Sequence, residues 1–403
     1  MMAAAPWPHA RLDAVGSVVT GGTPPTSDRS NYGRQHLFVS PADLGRTKYV
    51  RTSAKMLSAK GFAGSRRVPA GSTLFVCIGS TIGKVGLAGE DLATNQQINS
   101  IIPNGSVDPE FLFYATSTLS AIVREQAGEQ AVPLVNKSQF SEFEIPMPPL
   151  VEQKEIATAL ADADDLIATL ERLIAKKQAI KQGIMQQLLT GRTRLPGFTD
   201  SWRRVKLGEL GTFYKGRGIK RDDVRSSGVP CIRYGELYTD FVNYTSSTRS
   251  FVSPDVAATA LPIHSGDLLF AGSGETRDEI GMCVAYVGEA AAVAGGDTVV
   301  LRGNGFFNAV FLAALTNLPT VASQKSRAGQ GDAVVHISSR ALGDIQVEIP
   351  LKIEQDAIAG VIIDADRELA ALERRLEKAR AVKTGMMQEL LTGRTRLPVE
   401  AAS

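Results

Sequence analysis

The first residues whose types and spacing could do chemistry are Gly79-Ser80-Thr81-Ile82-Gly83-Lys84, which would suit a phosphate. A phosphate loop needs four residues between its glycines and a Ser or Thr after the lysine to reach magnesium. Here three intervene and Val85 follows, so the stretch reads as a turn between strands. Gly216-Arg217-Gly218 is a bare Gly-x-Gly and reads as a flexible loop. Glu152-Gln153-Lys154 resembles the end of a nuclease motif, but no aspartate is suitably placed, and the matching position further on holds Asp356. It reads as a helix start. His9, His36, His264 and His336 have no ligand spacing to one another or to cysteine. Cys77, Cys231 and Cys283 are odd in number and sit in apolar or strand-like surroundings, so they read as reduced core thiols of a cytoplasmic protein. No cofactor fingerprint, nucleophile elbow or Asn-Pro-Pro-Tyr run is present. The sequence predicts no catalytic, cofactor-binding or metal-binding residue in this chain.

What remains is a set of polar and basic loops. In the first part of the chain they carry Thr23, Ser27, Arg29 and Arg34, then Thr81 and Lys84, then Asn95, Gln96 and Gln97. In the second they carry Lys215, Arg217, Lys220 and Arg221, then Arg233 and Tyr234, then Ser273 and Arg277. Arg and Lys forks suit guanine, Asn and Gln amides suit adenine, and both supply phosphate contacts. Each residue taken alone is more readily an ordinary solvated side chain; only as a set do they weigh evenly between solvated loops and base reading. With a net charge of +2, binding to DNA has to come from local basic patches.

The elements that must hold these loops are announced by a repeat. Residues 152–196 and 354–398 align without a gap at an offset of 202, with 26 identities in 45 positions. Ile156, Leu160, Ala163, Ile167, Leu170 and Ile174 recur as Ile358, Ile362, Ala365, Leu369, Leu372 and Leu376, spaced 4, 3, 4, 3, 4. That is the seam of a left-handed coiled coil. Two such seams in one chain pair most simply with each other, and antiparallel pairing makes the halves pseudo-twofold mates. Past Ile174 and Leu376 the phase changes: Ile180, Ile184 and Leu188, with Val382, Met386 and Leu390, are expected to turn a different face inward, where a continued heptad would meet Lys181 and Lys383. Gly183 and Gly385 repeat within that part and point to a close backbone approach, the alternative being tolerated surface glycines. Pro148 and Pro350 precede the helices, Glu152 and Glu354 suit the positive end of the helix dipole, and Gly191 and Gly393 stand where left-handed caps belong. The 38 residues from Glu152 to Leu189 span about 57 Å at ~1.5 Å per residue, a spacer rather than an ordinary helix.

At 403 residues the chain holds more than one domain. We expect an α+β protein: two tandem mixed α/β domains, 1–149 and 197–349, separated by long helices at 150–196 and 350–398 that form an antiparallel coiled coil, with a tail at 399–403. Strands are expected at 37–39, 73–76, 85–87 and 98–102, a helix over 108–124, and an edge strand through Phe143, Ile145 and Met147. Trp202 with Leu207 echoes Trp7 with Leu12, and Ser265 to Phe270 echoes Ala70 to Phe75. No apolar run of ~18 residues is present, and the start lacks the basic and apolar regions of a signal peptide.

The helix starts Pro-Pro-Leu-Val-Glu-Gln and Pro-Leu-Lys-Ile-Glu-Gln, and the ends Gln-Gln-Leu-Leu-Thr-Gly and Gln-Glu-Leu-Leu-Thr-Gly, resemble those of type I restriction-modification specificity subunits. Gly21-Gly22-Thr23-Pro24, Ser40 to Leu44, Lys215-Gly216-Arg217, Gly228-Val229-Pro230 and Arg233-Tyr234-Gly235 are similar to softer motifs of that family. The resemblance implies two target-recognition domains, each reading one half of a bipartite, asymmetric site on double-stranded DNA. It implies helices that act as ruler and dock for two methyltransferase subunits, with restriction and translocase subunits as further partners. Those partners, not this chain, would use S-adenosylmethionine, ATP and Mg. Ile180, Gly183, Ile184 and Leu188, with Val382, Gly385, Met386 and Leu390, are the expected docking residues. The competing readings are a coiled-coil scaffold for protein or carbohydrate, and the specificity subunit of a related fused methylation system.

Overall fold

A computed structural model describes residues 7–45, 47–128, 132–331 and 334–398. The expected tail at 399–403 and residues 1–6, where a signal peptide would begin, lie outside the described residues. The chain divides into two compact units, Met1–Glu171 with Arg374–Ser403, and Arg172–Glu373.

The first unit is built on a five-stranded sheet, in the order Gly16–Thr20, Ile98–Pro103, Thr73–Val76, Val85–Ala88, Tyr49–Val50. Thr73–Val76 lies inside it and is buried at all four residues, which is why its side chains are apolar or hydroxyl without alternation. A second sheet pairs Tyr32–Val39 antiparallel with Lys55–Leu57 and parallel with Ala93–Thr94. Helix Pro109–Thr118 begins at Asp108, whose carboxylate accepts from the amides of Glu110 and Phe111. The single helix expected over 108–124 is two, broken at Leu119. The expected edge strand is Glu144–Pro146, paired antiparallel with His9–Arg11.

The second unit repeats the plan. Its five-stranded sheet runs Gly211–Lys215, Thr298–Gly303, Leu268–Ala271, Cys283–Tyr286, Tyr244–Thr245. Its second sheet joins Val229–Ile232 antiparallel to Ser250–Val252 and parallel to Ala292–Ala294, with Leu261–Ile263 added on the edge. The three cysteines are buried and free, as expected.

The long helices are Leu150–Leu188 and Lys352–Leu390, 39 residues each. They pair antiparallel within each unit. In the first, Asp164 meets Lys383 at 2.5 Å, and Glu171 meets Arg380 at 2.6 Å. In the second, Lys177 meets Glu368 at 2.7 Å and Lys181 meets Asp366. Ile156, Leu160, Leu170, Ile174, Ile358, Ile362, Leu369 and Leu372 are buried, and Ile167 and Leu376 half-buried, so the heptad seam is real. Its ends enter the domain cores: Ile156 and Leu160 join Leu390 and Leu391 in the first, Ile358 and Ile362 join Leu188 and Leu189 in the second.

Two expectations are corrected. The seam does not change face after Ile174 and Leu376. Lys181 and Lys383 stay on it, half-buried, because Asp366 and Asp164 on the facing helix neutralise them, and Ile180, Ile184 and Val382 are left exposed. Gly183 and Gly385 mark no close approach either: a Cβ on either would meet nothing within 4 Å.

The Glu-Gln doublet ties each helix to its domain. Gln153 Oε1 accepts from the Asp108 amide at 2.7 Å while its Nε2 donates to the Pro148 carbonyl at 2.9 Å. Gln355 does the same with Asn308 and Pro350, at 2.9 Å each. Glu354 holds Arg194 through two hydrogen bonds of 2.5 and 2.6 Å, and Glu152 meets Arg396 at 3.6 Å.

Candidate functional site

The loops singled out from sequence in the first domain converge at one end of its sheets. Gly21 donates to the Ile98 carbonyl at 3.0 Å and Gly22 to that of Thr94 at 2.9 Å. A side chain at Gly21 would drive its Cβ to 2.2 Å from the Asn95 carbonyl, so only glycine lets the loop turn there. The Thr23 hydroxyl reaches Gln96 Oε1 at 2.7 Å. Cys77 donates to the Gln97 carbonyl at 2.9 Å, Asn95 Nδ2 to Gln97 Oε1 at 3.0 Å, and Gln97 Nε2 to the Ile78 carbonyl at 3.3 Å. Thr23, Ser27 and Gln96 are exposed; Thr81, Asn95 and Gln97 are half-buried. Lys84 is half-buried, its Nζ 3.5 Å from the Pro41 carbonyl, so it braces the turn at Ser40–Leu44. Arg29 is exposed on the helical turn that follows the first loop. Arg34 is exposed near the start of the strand Tyr32–Val39, where the Tyr32 phenol donates to the Pro24 carbonyl of the first loop at 2.8 Å, whereas Asn95 donates to Val39 at the strand's other end.

In the second domain the same backbone frame recurs. Gly216 donates to Thr298 at 2.7 Å as Gly21 does to Ile98. Gly295 donates to Ile232 at 2.9 Å as Asn95 does to Val39 at 3.0 Å. Gly272 donates to Asp297 at 2.7 Å as Cys77 does to Gln97. The Glu236 carboxylate takes the Arg233 amide at 3.0 Å as Asp43 takes that of Ser40 at 2.9 Å. On this shared frame the side chains differ. Where the first domain has Asn95-Gln96-Gln97, the second has Gly295-Gly296-Asp297, with Asp297 in the left-handed region at φ 57°.

These loops surround a cavity of about 500 Å³ lined by Arg221, Arg233, Tyr234, Asp240 and Asp297. A smaller one of about 320 Å³ brings Lys215 to Asp297, Gln330, His336 and Ser338. Arg217 and Lys220 are exposed beside them on the loop through Gly218, whose carbonyl accepts from Gly296 at 3.3 Å. Two expected residues serve the frame instead. Ser273 is buried, with its hydroxyl 2.8 Å from His336 Nδ1. The Arg277 guanidinium donates to the carbonyls of Gly329 and Gly331 at 3.0 Å each and clamps that loop. Asp297, Gln330 and His336 were missed from sequence, because nothing in their neighbourhoods distinguishes them from other loop residues.

The arrangement offers hydrogen-bond donors and acceptors. Burial pushes the thiols of Cys77 and Cys283 up to about 12 and that of Cys231 to about 11, far from a thiolate nucleophile. Among the described residues, no group of three or more His, Cys, Asp or Glu is placed to hold a metal ion, and no helix is long and apolar enough to cross a membrane. Of the expected docking residues, Ile180, Ile184 and Val382 are exposed and Met386 is half-buried, whereas Leu188 and Leu390 are enclosed in their own cores. Ile180 and Ile184 line a hollow of about 190 Å³ with Met185, Val361 and Ala365.

A family profile described as type I restriction modification DNA specificity domain matches residues 5–182. The type I restriction enzyme MjaVIII specificity subunit of Methanocaldococcus jannaschii is 26% identical over 207 residues, which cover 48% of each chain. The MjaIX specificity subunit of the same organism is 32% identical over 166 residues, covering 40% of this chain and 38% of that one. This chain therefore spans about half the length of the first relative and less of the second. The crystal structure of a type I restriction-modification S subunit from M. genitalium shares the fold, with a TM-score of 0.59 at 16% identity over 96% of both chains.

Proposed function

We propose that this chain belongs to the family of type I restriction-modification specificity subunits and that it selects the DNA sequence on which such a system acts. Each mixed domain reads one half of a bipartite, asymmetric site. The observation that carries this is the repetition of one hydrogen-bonded frame with exchanged side chains. The first domain displays hydroxyls and an amide at Thr23, Ser27 and Gln96, the chemistry that suits adenine. The second displays cations with a carboxylate at Arg217, Lys220, Arg221 and Asp297, the chemistry that suits guanine and cytosine. A frame that held one common ligand would have no reason to change its side chains while keeping its backbone.

In this reading 1–149 and 197–349 are the target-recognition domains, and the helices at 150–196 and 350–398 are a ruler. A 39-residue helix extends about 58 Å at ~1.5 Å per residue, and two turns of DNA take up about 68 Å. Ile180, Ile184, Val382 and Met386 offer apolar surface for two adenine-N6 methyltransferase subunits. Catalysis, S-adenosylmethionine, ATP and Mg belong to partner subunits, and the assembly works in the cytoplasm. Methylome sequencing of a host carrying this chain with its methyltransferase tests the proposal. The expected result is one N6-methyladenine motif split by an unspecified gap and lost on deletion of this gene. Methylation that persists without the gene would refute it. Exchange of residues 197–349 for the matching block of a relative should change one half-site only.

A further inference from the structure

The half-buried charges on the seam are not paired only with each other. In the first unit the Tyr114 phenol, on helix Pro109–Thr118 and 1% exposed, donates to Asp164 Oδ2 at 2.7 Å. Lys383 holds the other oxygen of that carboxylate at 2.5 Å and lies 5.7 Å from the Tyr114 ring. One carboxylate thus joins the globular domain to both long helices. In the second unit Asp366 pairs with Lys181, and both line one hollow with Val242 and Asn243, the residues that lead into Tyr244. Burial and the nearby Asp366 carboxylate push the Tyr244 phenol up.

The carboxylate and the ammonium are inherited from the helix repeat, 202 residues apart. The phenols are not. Helix Ala309–Thr316 of the second domain begins at Asn308 as the first begins at Asp108, and counting from those caps puts Ala314 at the place of Tyr114. Tyr244 comes from a strand, Tyr244–Thr245, whose counterpart Tyr49–Val50 places Tyr49 against Glu110 inside its own domain. Two unrelated elements therefore deliver the same group to equivalent carboxylates. Inheritance of a common scaffold does not produce that; a shared requirement does.

We propose that Tyr114 and Tyr244 are positioning residues that set the angle of each recognition domain on the helix pair, and thereby the length of the gap between the two half-sites. The inference rests on the reading of the chain as a specificity subunit. Its physical basis is directionality. The hydrogen bonds of Gln153 and Gln355 fix one point of each domain on its helix, and the phenols meet the same helices eleven residues further along. A hydrogen bond weakens steeply as its angle departs from linear, so the second point fixes a rotation that the first leaves open. Here the acceptor is itself fixed by a lysine from the facing helix, so the phenol has one productive orientation.

The test is methylome sequencing of hosts carrying the full complex with Tyr114→Phe, Tyr244→Phe or Tyr49→Phe, alongside the melting temperature of each purified complex. The expected result for the first two is retention of both half-sites with methylation spreading to gaps one base pair longer or shorter, discrimination between gaps falling about tenfold. Tyr49→Phe, which removes a phenol bond within the domain, should keep the single gap. Unchanged single-gap methylation in both Tyr114→Phe and Tyr244→Phe would overturn the proposal. So would loss of all methylation together with a lowered melting temperature, since the phenols would then only support the fold. A wild-type complex that methylates no split motif would refute the specificity reading itself, and this inference with it.

Discussion

Gly393 lies directly beneath the indole of Trp7: a Cβ there would stand 3.1 Å from the ring. Gly191 has the same relation to Trp202, at 3.3 Å, and both glycines are left-handed, at φ 71° and 68°. Arg396 stacks over Trp7 at 5.1 Å and Arg194 over Trp202 at 5.8 Å. The tryptophan that opens each domain therefore covers the cap that ends a long helix of the same unit.

That relationship gives opposite signs for two glycines eight residues apart. Gly393→Ala must adopt a backbone that L residues avoid, at a cost of about 1–2 kcal/mol, and must push against the Trp7 ring. Gly385→Ala has open space and a helical backbone, so it should stabilise by about 1 kcal/mol. Denaturant unfolding of the two variants checks both signs, and a destabilising Gly385→Ala would restore the idea of a close approach at that position.

The helices were legible because their signals are local and repeated. The spacing of Ile156, Leu160, Leu170 and Ile174 gave the seam, and Gly191 and Gly393 gave the caps. The phase change was misread because the partners that let Lys181 and Lys383 stay on the seam, Asp366 and Asp164, sit on the other helix, and periodicity within one helix carries no trace of them. Loop positions were legible, but not which residues face outward. Ser273 and Arg277 look like Thr23 and Arg217 in sequence, and only the fold shows that they spend their polar groups on His336 and on the carbonyls of Gly329 and Gly331.

The seam also predicts a contrast between neighbouring leucines. Leu160 is wholly buried in the first core, so Leu160→Ala should cost about 2–5 kcal/mol through lost transfer energy and the cavity left behind. Leu166 is 48% exposed, and Leu166→Ala should stay within about 0.5 kcal/mol. Equal losses in chemical denaturation would mean that the helix buries a different face.

Lys325 gives a pH signature. It is 2% exposed, its Nζ donates to the Gly281 carbonyl at 2.6 Å, and burial pushes its ammonium down from 10.5 to about 8, against a smaller opposing effect of Cys283. Below that value both folded and unfolded chains carry the proton, and the cost of the buried charge is constant. Between there and 10.5 the unfolded chain binds more protons, so this group makes stability rise with pH. Relative to Lys325→Met, the wild type should gain about 2 kcal/mol between pH 7.5 and pH 10. Urea titrations of both proteins across that range measure the difference, and a flat one would show that Lys325 is not held as a buried cation.

The loops yield the functional prediction. Gln96 is exposed in the first domain and Arg221 rims the larger cavity in the second, and the proposed function assigns each of them to one half-site. Gln96→Ala should relax one half-site and Arg221→Ala the other, each by about 1–3 kcal/mol of discrimination, or roughly tenfold to a hundredfold. Arg367 stands on the second long helix, outside the loops and paired with Asp364, and Arg367→Ala should leave the motif unchanged. Methylation of a randomised DNA library by each complex reads all three at once. If either Gln96→Ala or Arg221→Ala relaxed both half-sites, the assignment of one reader to each domain would fail, because side chains on two separate frames would then be contributing to a single recognition surface.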